Sequence, residues 1–509
     1  MAEKSITRVL SKPGVKRDGT MLEGDAYVDA QWCRFQRGLP RKIGGFRSIN
    51  RYISALPRAL HEYTENLLTY VHVGTASTLE RFFIDGALST SVISDRTPAT
   101  LAPSANNLWQ FDVASTNSLG ALLLAQAAPN LRCICNSVGG QIFVGGLFDT
   151  TALTEVTLPV DASATGGIVM LWPYLMFFGS DGYVGWSVPG DPTDLSGVGS
   201  GATRITGQKI IKAMQVRGGA GASPSGLLWS ADSLLRATFV GGAAVWSFDT
   251  ISAQTSILSS SSVIEYDGVY YWLGTDRFLQ FNGVVREVDN QMNLNYFFDN
   301  VNYSQRQKIF AFKIPRYGEI WWCYPHGDAT ECTHAIIYNV RENTWYDTAL
   351  PADGRGAGAF PAVFRRPLMT SNTPDGGGYK LWVHETGVDK VDGTITEPIP
   401  SSFETAEVSL PVMAGADKAL QVLVMEPDFI QSGDMTVSVR GRSNARAPEV
   451  DGEAKVFPAV ASSPEEQIVM FKEQRRQLRF RFESNTVGGD YQMGHTLVHT
   501  APSDGRLLG

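Results

Sequence analysis

The segment "CYPHGDATECTH" (residues 323–334) sets two thiols and two imidazoles, Cys323, His326, Cys332 and His334, around one turn. Two thiolates and two imidazoles are a ligand set that tetrahedral zinc accepts, so these four are the candidate metal ligands. Their order argues the other way. Cys-x2-His followed by Cys-x-His is not the spacing of a zinc finger, and Cys332 and His334 share a strand face only where that strand is regular. The alternative is a polar hairpin tip with two buried thiols, and no resident metal or cofactor is expected. Cys133-x-Cys135 is weaker still, because no histidine lies near it.

Other chemistry is sparse. A nucleotide site needs a Gly-rich loop ending in Gly-Lys-Ser/Thr at a helix start, so that backbone amides cradle phosphate. "GATRITGQKI" (201–210) misses both the glycine spacing and the final order. Neither HExxH nor GxSxG occurs, which lowers two hydrolase classes. "GSDGYVGW" (179–186) is similar to the Asp-containing turn of sialidase-type propellers, where the turn is structural. A sialidase also needs an arginine cluster and a tyrosine nucleophile with an acidic partner, and no such set stands out. The expectation is a protein without catalysis; the competing reading is a propeller carbohydrate-binding or glycoside-hydrolase module.

The elements around these residues repeat. An aromatic strand, a small polar turn, a second strand and a glycine recur in "YLMFFGSDGYVGWSVPG", "GLLWSADSLLRATFVGG", "GVYYWLGTDRFLQFNG", "GEIWWCYPHGDATECTHAIIYNVRENTWY" and "YKLWVHETGVDKVDG". Phe178, Trp229, Trp272, Trp322 and Trp382 fall 51, 43, 50 and 60 residues apart. Four strands of five to six residues with their turns fill about 40–50 residues, the length of a propeller blade. Strands such as "VYYWLG" and "EIWWCY" are apolar on both faces, which a lone hairpin cannot bury and radial stacking can. A mainly β chain with a β-propeller of about six blades over residues 59–395 is therefore expected. Within "YNVRENTWY", the polar tip Asn339–Asn343 reads as the turn joining the last two strands of one blade, with Arg341 as surface.

After residue 395, a Pro/Ser/Thr-rich boundary leads to "QLRFRFESN" (477–485), which alternates with period two. Leu478, Phe480 and Phe482 are expected on a buried face, and Arg479, Arg481 and Glu483 on the solvated one. This places a β-sandwich-like unit at 396–509. The chain has 509 residues, 43% hydrophobic and 18% charged, enough to bury a large core. Five scattered cysteines fit a reducing compartment better than a disulfide framework. The longest apolar run, Ile168–Phe178, has 11 residues and contains Pro173, too short to span a bilayer as a helix. The polar N-terminus has no apolar signal core, so no export by the general route is expected. Residues 1–58 carry a net charge of +7 and the remainder −15. A basic N-terminal segment on an acidic body suggests docking to an acidic partner surface, with nucleic acid as the rival reading, and an acidic wall suits a passage through which DNA slides without sticking.

The segment "GTMLEGDAYVDAQWCRFQRGLPRKIGGF" (19–46) resembles the N-terminal part of the tail nozzle proteins of short-tailed bacteriophages, also called packaged-DNA stabilisation proteins or tail tubular protein B. There an aromatic strand, here Trp32–Phe35, precedes a glycine turn and a basic run, here Pro40–Gly45. "YNVRENTWY" and the ending "RFRFESNTVGGDYQMGHTLVH" are similar to the same family. The resemblance implies a homohexameric virion protein beneath the portal and its adaptor ring. It would form the distal tail tube, hold packaged DNA without reading its sequence, and release it at infection. It also implies assembly in the host cytoplasm and tail fibres or tailspikes as further partners. On this reading residues 1–58 form a basic arm or platform segment, with Arg34, Arg37, Arg41 and Lys42 as the expected docking contacts. Those four cations have a competing role in packing on the chain's own C-terminal unit.

Overall fold

The computed structural model describes residues 5–20, 24–65, 68–84, 90–102, 104, 108–115, 131–136, 140–216, 224–360, 366–408, 419–444, 446–459 and 468–503. The chain is mainly β. Only one short α-helix, Leu294–Asn300, interrupts the strands among the described residues. No helix there is long and apolar enough to cross a membrane.

Seven sheets follow one another, one more than the repeat count suggested; the first six are antiparallel and the seventh contains one parallel pair. Their first strands are Pro57–Glu65, Gln110–Ser115, Gly167–Leu171, Ile210–Gln215, Ile264–Tyr266, Phe310–Ile314 and Ala357–Ala359. The first six sheets have four strands each in sequence order, which is what short connections between alternating runs produce. The aromatic repeat is real. Phe178, Trp229, Trp272 and Trp322 lie on the second strands of the third to sixth sheets, all buried. Trp382 departs from the series and sits on the third strand of the seventh sheet, Tyr379–His384.

Both faces of these sheets are apolar because each meets a neighbour. Leu79 of the first sheet shares a core with Phe143 of the second. Ile142 of the second packs with Phe177 of the third, and Phe178 with Leu228 of the fourth. Trp229 meets Trp272 of the fifth with ring centroids 5.7 Å apart, and Phe278 meets Trp322 of the sixth at 5.4 Å. Trp321 and Ile337 of the sixth share a core with Met369 of the seventh. The seventh in turn shares Leu368, Leu381 and Val383 with Val71 and Phe82 of the first.

The seventh sheet is completed from far away. Its strand Tyr379–His384 pairs antiparallel with Phe46–Ile53, which precedes the first sheet in the chain. Beyond it, Lys390–Asp392 and Ile395–Glu397 extend the same sheet.

Two further sheets hold the remaining strands. One contains Ala419–Ser432, Val469–Arg475 and Asp490–Ser503, joined by Ser5–Val9 and by the hairpin of Cys33–Gln36 and Leu39–Lys42. The other contains Asp29–Gln31, Ser401–Glu404, Met435–Arg442, Val450–Phe457 and Gln477–Ser484. Leu478, Phe480 and Phe482 face the shared core as their alternation required. Arg479 and Arg481 are not solvated in the expected way, since Glu404 and Asp29 pair with them at 3.4 and 3.1 Å.

The expectation of a separate basic arm over residues 1–58 needs correction. Described residues between 5 and 53 are strands of the two C-terminal sheets and of the seventh sheet, with a small parallel pair between Lys12–Val15 and Ala26–Tyr27. The cause is apolar. Trp32, Cys33, Phe35 and Phe46 are each about 1% exposed or less and cannot be left on an arm.

Candidate docking site and the cysteine–histidine hairpin

The hairpin carrying the four expected docking cations turns at Arg37 and Gly38, both with positive φ (54° and 75°). Two residues with φ above zero match the right-handed twist of the flanking strands. The turn is also gripped from outside. Glu342, at the tip joining His334–Asn339 to Thr344–Ala349, accepts hydrogen bonds from the backbone N–H groups of Arg37 (2.6 Å) and Gly38 (3.0 Å). That tip is built as its composition suggests. The Asn339 side chain accepts from the N–H groups of Arg341 and Glu342, and Asn343 takes the left-handed conformation with φ 49°.

Two of the four cations face inward. Arg34 is 1% exposed and lies between Glu319 (2.8 Å) and Glu385 (3.0 Å), with its guanidinium 3.7 Å from the Tyr317 ring centre. Glu319, fully buried, also accepts from Tyr346 Oη (2.7 Å) and Trp321 Nε1 (2.9 Å). Burial pulls the Arg34 guanidinium down, but the two carboxylates outweigh it and hold it above its ordinary value. Burial raises the Glu319 carboxyl, and Arg34 opposes that rise. Lys42 is 3% exposed, and its ammonium donates to the carbonyl of Gly489 at 2.6 Å. Arg34 and Lys42 are therefore internal ties, and their assignment as docking contacts is withdrawn.

Arg37 remains exposed and Arg41 half-buried, and two arginines join them: Arg316, which no motif singled out, and Arg341, which its turn marked only as surface. The guanidiniums of Arg316 and Arg41 lie 5.3 and 5.9 Å from the Tyr317 ring centre. Arg341, exposed, donates to the carbonyls of Pro315 (2.6 Å) and Arg316 (3.1 Å). Arg37, Arg41, Arg316 and Arg341 thus converge where the N-terminal hairpin meets two turns of the sixth sheet. The one sequence signal for this was the pair of basic turn residues, in "PRYG" and "NVREN", at the same end of adjacent hairpins. Such a cluster can attract an acidic surface through arginine–carboxylate pairs.

The proposed metal ligands do not come together. In the sixth sheet Cys323 pairs with Ala335 and Tyr324 with His334, so Cys323 and His334 point to opposite faces. Cys323 and Cys332 are buried in the core shared with the seventh sheet. His326 and His334 stack on each other with ring centroids 4.2 Å apart, and His326 Nε2 is 3.2 Å from Tyr296 Oη. Burial pushes both thiols well up, away from the thiolate a metal requires. Burial, then His326 and Arg17, pull His334 down to about 4. Among the described residues no group of three or more His, Cys, Asp or Glu side chains is placed to hold a metal ion. The side chains of Cys133 and Cys135 lie outside the described residues.

The other two motifs are also structural. In "GATRITGQKI", Gly201–Arg204 and Ile210–Gln215 are strands of consecutive sheets, with no helix start to receive a phosphate. "GSDGYVGW" forms a tight turn, Ser180–Gly182, between two strands of the third sheet, with Asp181 at φ 53°. Comparison with protein-family models and with curated proteins gives no match for this chain.

Proposed function

We propose that this chain is a tail nozzle subunit of a short-tailed bacteriophage. It is a structural, non-enzymatic virion protein that assembles as a homohexamer in the host cytoplasm, forms the distal tail tube, retains packaged DNA and conducts it at infection. The observation that carries this reading is the role of residues 19–46, where the family resemblance is strongest. The described residues of this segment tie three sheets together through buried Trp32, Phe35 and Arg34, so the motif coincides with an architectural joint.

The fold of this reading is a seven-bladed β-propeller with a C-terminal β-sandwich-like unit. Its support is cyclic: each sheet shares a core with the next and the seventh with the first. The strand Phe46–Ile53 then fastens the last blade with a segment from before the first. Radial closure leaves only short protected edges and buries both faces of every blade.

Docking to the adaptor ring is assigned to Arg37, Arg41, Arg316 and Arg341, and the acidic remainder of the chain serves as a wall that repels DNA at short range. Tail fibres or tailspikes are further partners. The test is light scattering of the purified chain, alone and mixed with the adaptor ring, for wild type and for the Arg37→Glu, Arg41→Glu, Arg316→Glu variant. The expected result is a hexamer, formed alone or on the adaptor, and binding weakened about tenfold or more by the three reversals. A monomer indifferent to the adaptor would overturn the nozzle reading in favour of the glycan-directed module. A hexamer whose three reversals leave adaptor binding intact would overturn only the docking assignment.

A further inference from the structure

Five of the seven sheets send residues to one concave site. Gln110 opens the second sheet, Thr165 precedes the third, Lys209 the fourth and Ser260 the fifth. Arg306 and Gln307 precede the sixth, and all six surround a pocket of about 290 Å³. That size lies at the lower end of small-molecule sites, which run about 300–1,000 Å³. Two adjacent glycines allow the strands to close around it. A Cβ at Gly166 would overlap the carbonyl oxygen of Ile210, and one at Gly167 would overlap the Gln110 amide.

The groups lining this pocket are incomplete in a specific way. Lys209 and Arg306 are exposed, and among the described residues neither has an ion-pair partner. Partial desolvation by the pocket wall draws the Lys209 ammonium below its ordinary value although the residue reaches solvent, and no carboxylate acts against it. Gln110 is only 7% exposed. Its Nε2 donates to the carbonyl of Gly166 at 2.6 Å, while its Oε1 has no hydrogen-bond partner. A buried acceptor without a donor is costly, and two cations without an anion leave a positive field in a concavity. The complement to all three is one molecule that carries an anionic group and, beside it, a hydroxyl that can donate.

We propose that this pocket binds a small hydroxyl-bearing anion of the class of acidic sugars and sugar phosphates. Lys209 and Arg306 hold the anionic group, and Gln110 Oε1 accepts from a ligand hydroxyl. The site lies apart from the arginine cluster, and its existence does not rest on the nozzle assignment.

The test is calorimetric titration of the full chain with four probes: glucuronate, glucose 6-phosphate, glucose and inorganic phosphate. Saturable binding of glucuronate, of glucose 6-phosphate or of both is expected, and which of them binds identifies the anionic group. Glucose, lacking the charge, and inorganic phosphate, lacking the sugar hydroxyls, are expected to bind about tenfold or more weakly. Lys209→Ala and Arg306→Ala each remove an exposed side chain, so the fold persists, and each is expected to weaken binding about tenfold. Arg204→Ala, an exposed change on the third sheet outside the pocket, is expected to leave it unchanged. The proposal is overturned if neither charged sugar binds, if inorganic phosphate binds as tightly as the sugars, or if the Lys209 and Arg306 variants bind like wild type.

Discussion

From the third sheet to the sixth, the chain buries aromatic and aliphatic side chains supplied by the neighbouring sheets in sequence, such as Trp229 against Trp272 and Phe278 against Trp322. At the junction of the N-terminal strands, the seventh sheet and the C-terminal sheets, it also buries charge. Arg34 meets Glu319 and Glu385, 285 and 351 residues away, and Arg17 meets Asp347 across 330 residues. Arg17 also pairs with Asp29 (2.8 Å) and Arg481 with Asp29 (3.1 Å), so a line of paired charges runs from the sixth sheet into the C-terminal sheets. The apolar region holds together by contact area, which tolerates any neighbour of suitable shape. The junction requires particular partners, because a buried charge left without its counterion is far more costly than a lost apolar contact of similar size. The repeated sheets therefore supply most of the core, and the junction specifies which ends of the chain meet.

The largest effect should come from breaking the junction at its centre. Arg34→Met leaves two carboxylates in a buried site and is expected to cost about 3–5 kcal/mol in denaturant unfolding. Adding Glu319→Gln should return part of that loss. In the repeated sheets Trp229→Ala should cost a similar 3–5 kcal/mol through its cavity, with no carboxylate change able to restore it. If Glu319→Gln fails to help the first variant, the contrast between the two regions collapses.

Acid sharpens the same contrast. His72 in the first sheet and His384 in the seventh are buried, each with its Nε2 3.0 Å from a buried arginine nitrogen, of Arg96 and Arg355 respectively. Burial, with His61 and the nearby arginines for His72 and with Arg355 for His384, holds both well below the ordinary imidazole value of 6.5. The unfolded chain takes up protons as pH falls through 6.5, and the folded chain does not. The stability from these groups is thus complete above that value and is lost as pH falls towards the folded values. Each should cost about 2 kcal/mol by pH 5, and His384→Gln should remove only its own share, because His61 and His334, both pulled down to about 4 by burial, contribute to the same loss. The third to fifth sheets contain no histidine, so this sensitivity belongs to the first, sixth and seventh sheets, where His61, His72, His334 and His384 lie. Unfolding midpoints at pH 7 and pH 5 measure it.

The smallest effect is expected at the tip that grips the N-terminal hairpin turn at Arg37 and Gly38. Glu342→Ala removes two hydrogen bonds to backbone N–H groups at a half-buried position and should cost about 1 kcal/mol. An unchanged unfolding midpoint would mean that the turn holds itself.

The sequence made the local features legible. Phe178, Trp229, Trp272 and Trp322 announced one strand each, and Leu478, Phe480 and Phe482 announced a face, because these patterns arise within one strand or one hairpin. The pairing of Phe46–Ile53 with Tyr379–His384 left no such trace, since partner choice between distant strands has no period in the sequence. Arg34 read as a surface cation because its two carboxylates lie hundreds of residues away; the only hint was its place between buried Cys33 and Phe35. The cysteine–histidine set failed on parity. Residue types suggested a site, and strand register placed thiols and imidazoles on opposite faces. Lys209, Arg306 and Gln110 could not be grouped beforehand, because each belongs to the start of a different sheet.

The most direct test of the central claim is electron microscopy of the full chain incubated with the adaptor ring. The account predicts six copies around an axial channel, continuous with the adaptor. Single copies scattered beside unoccupied rings would contradict it.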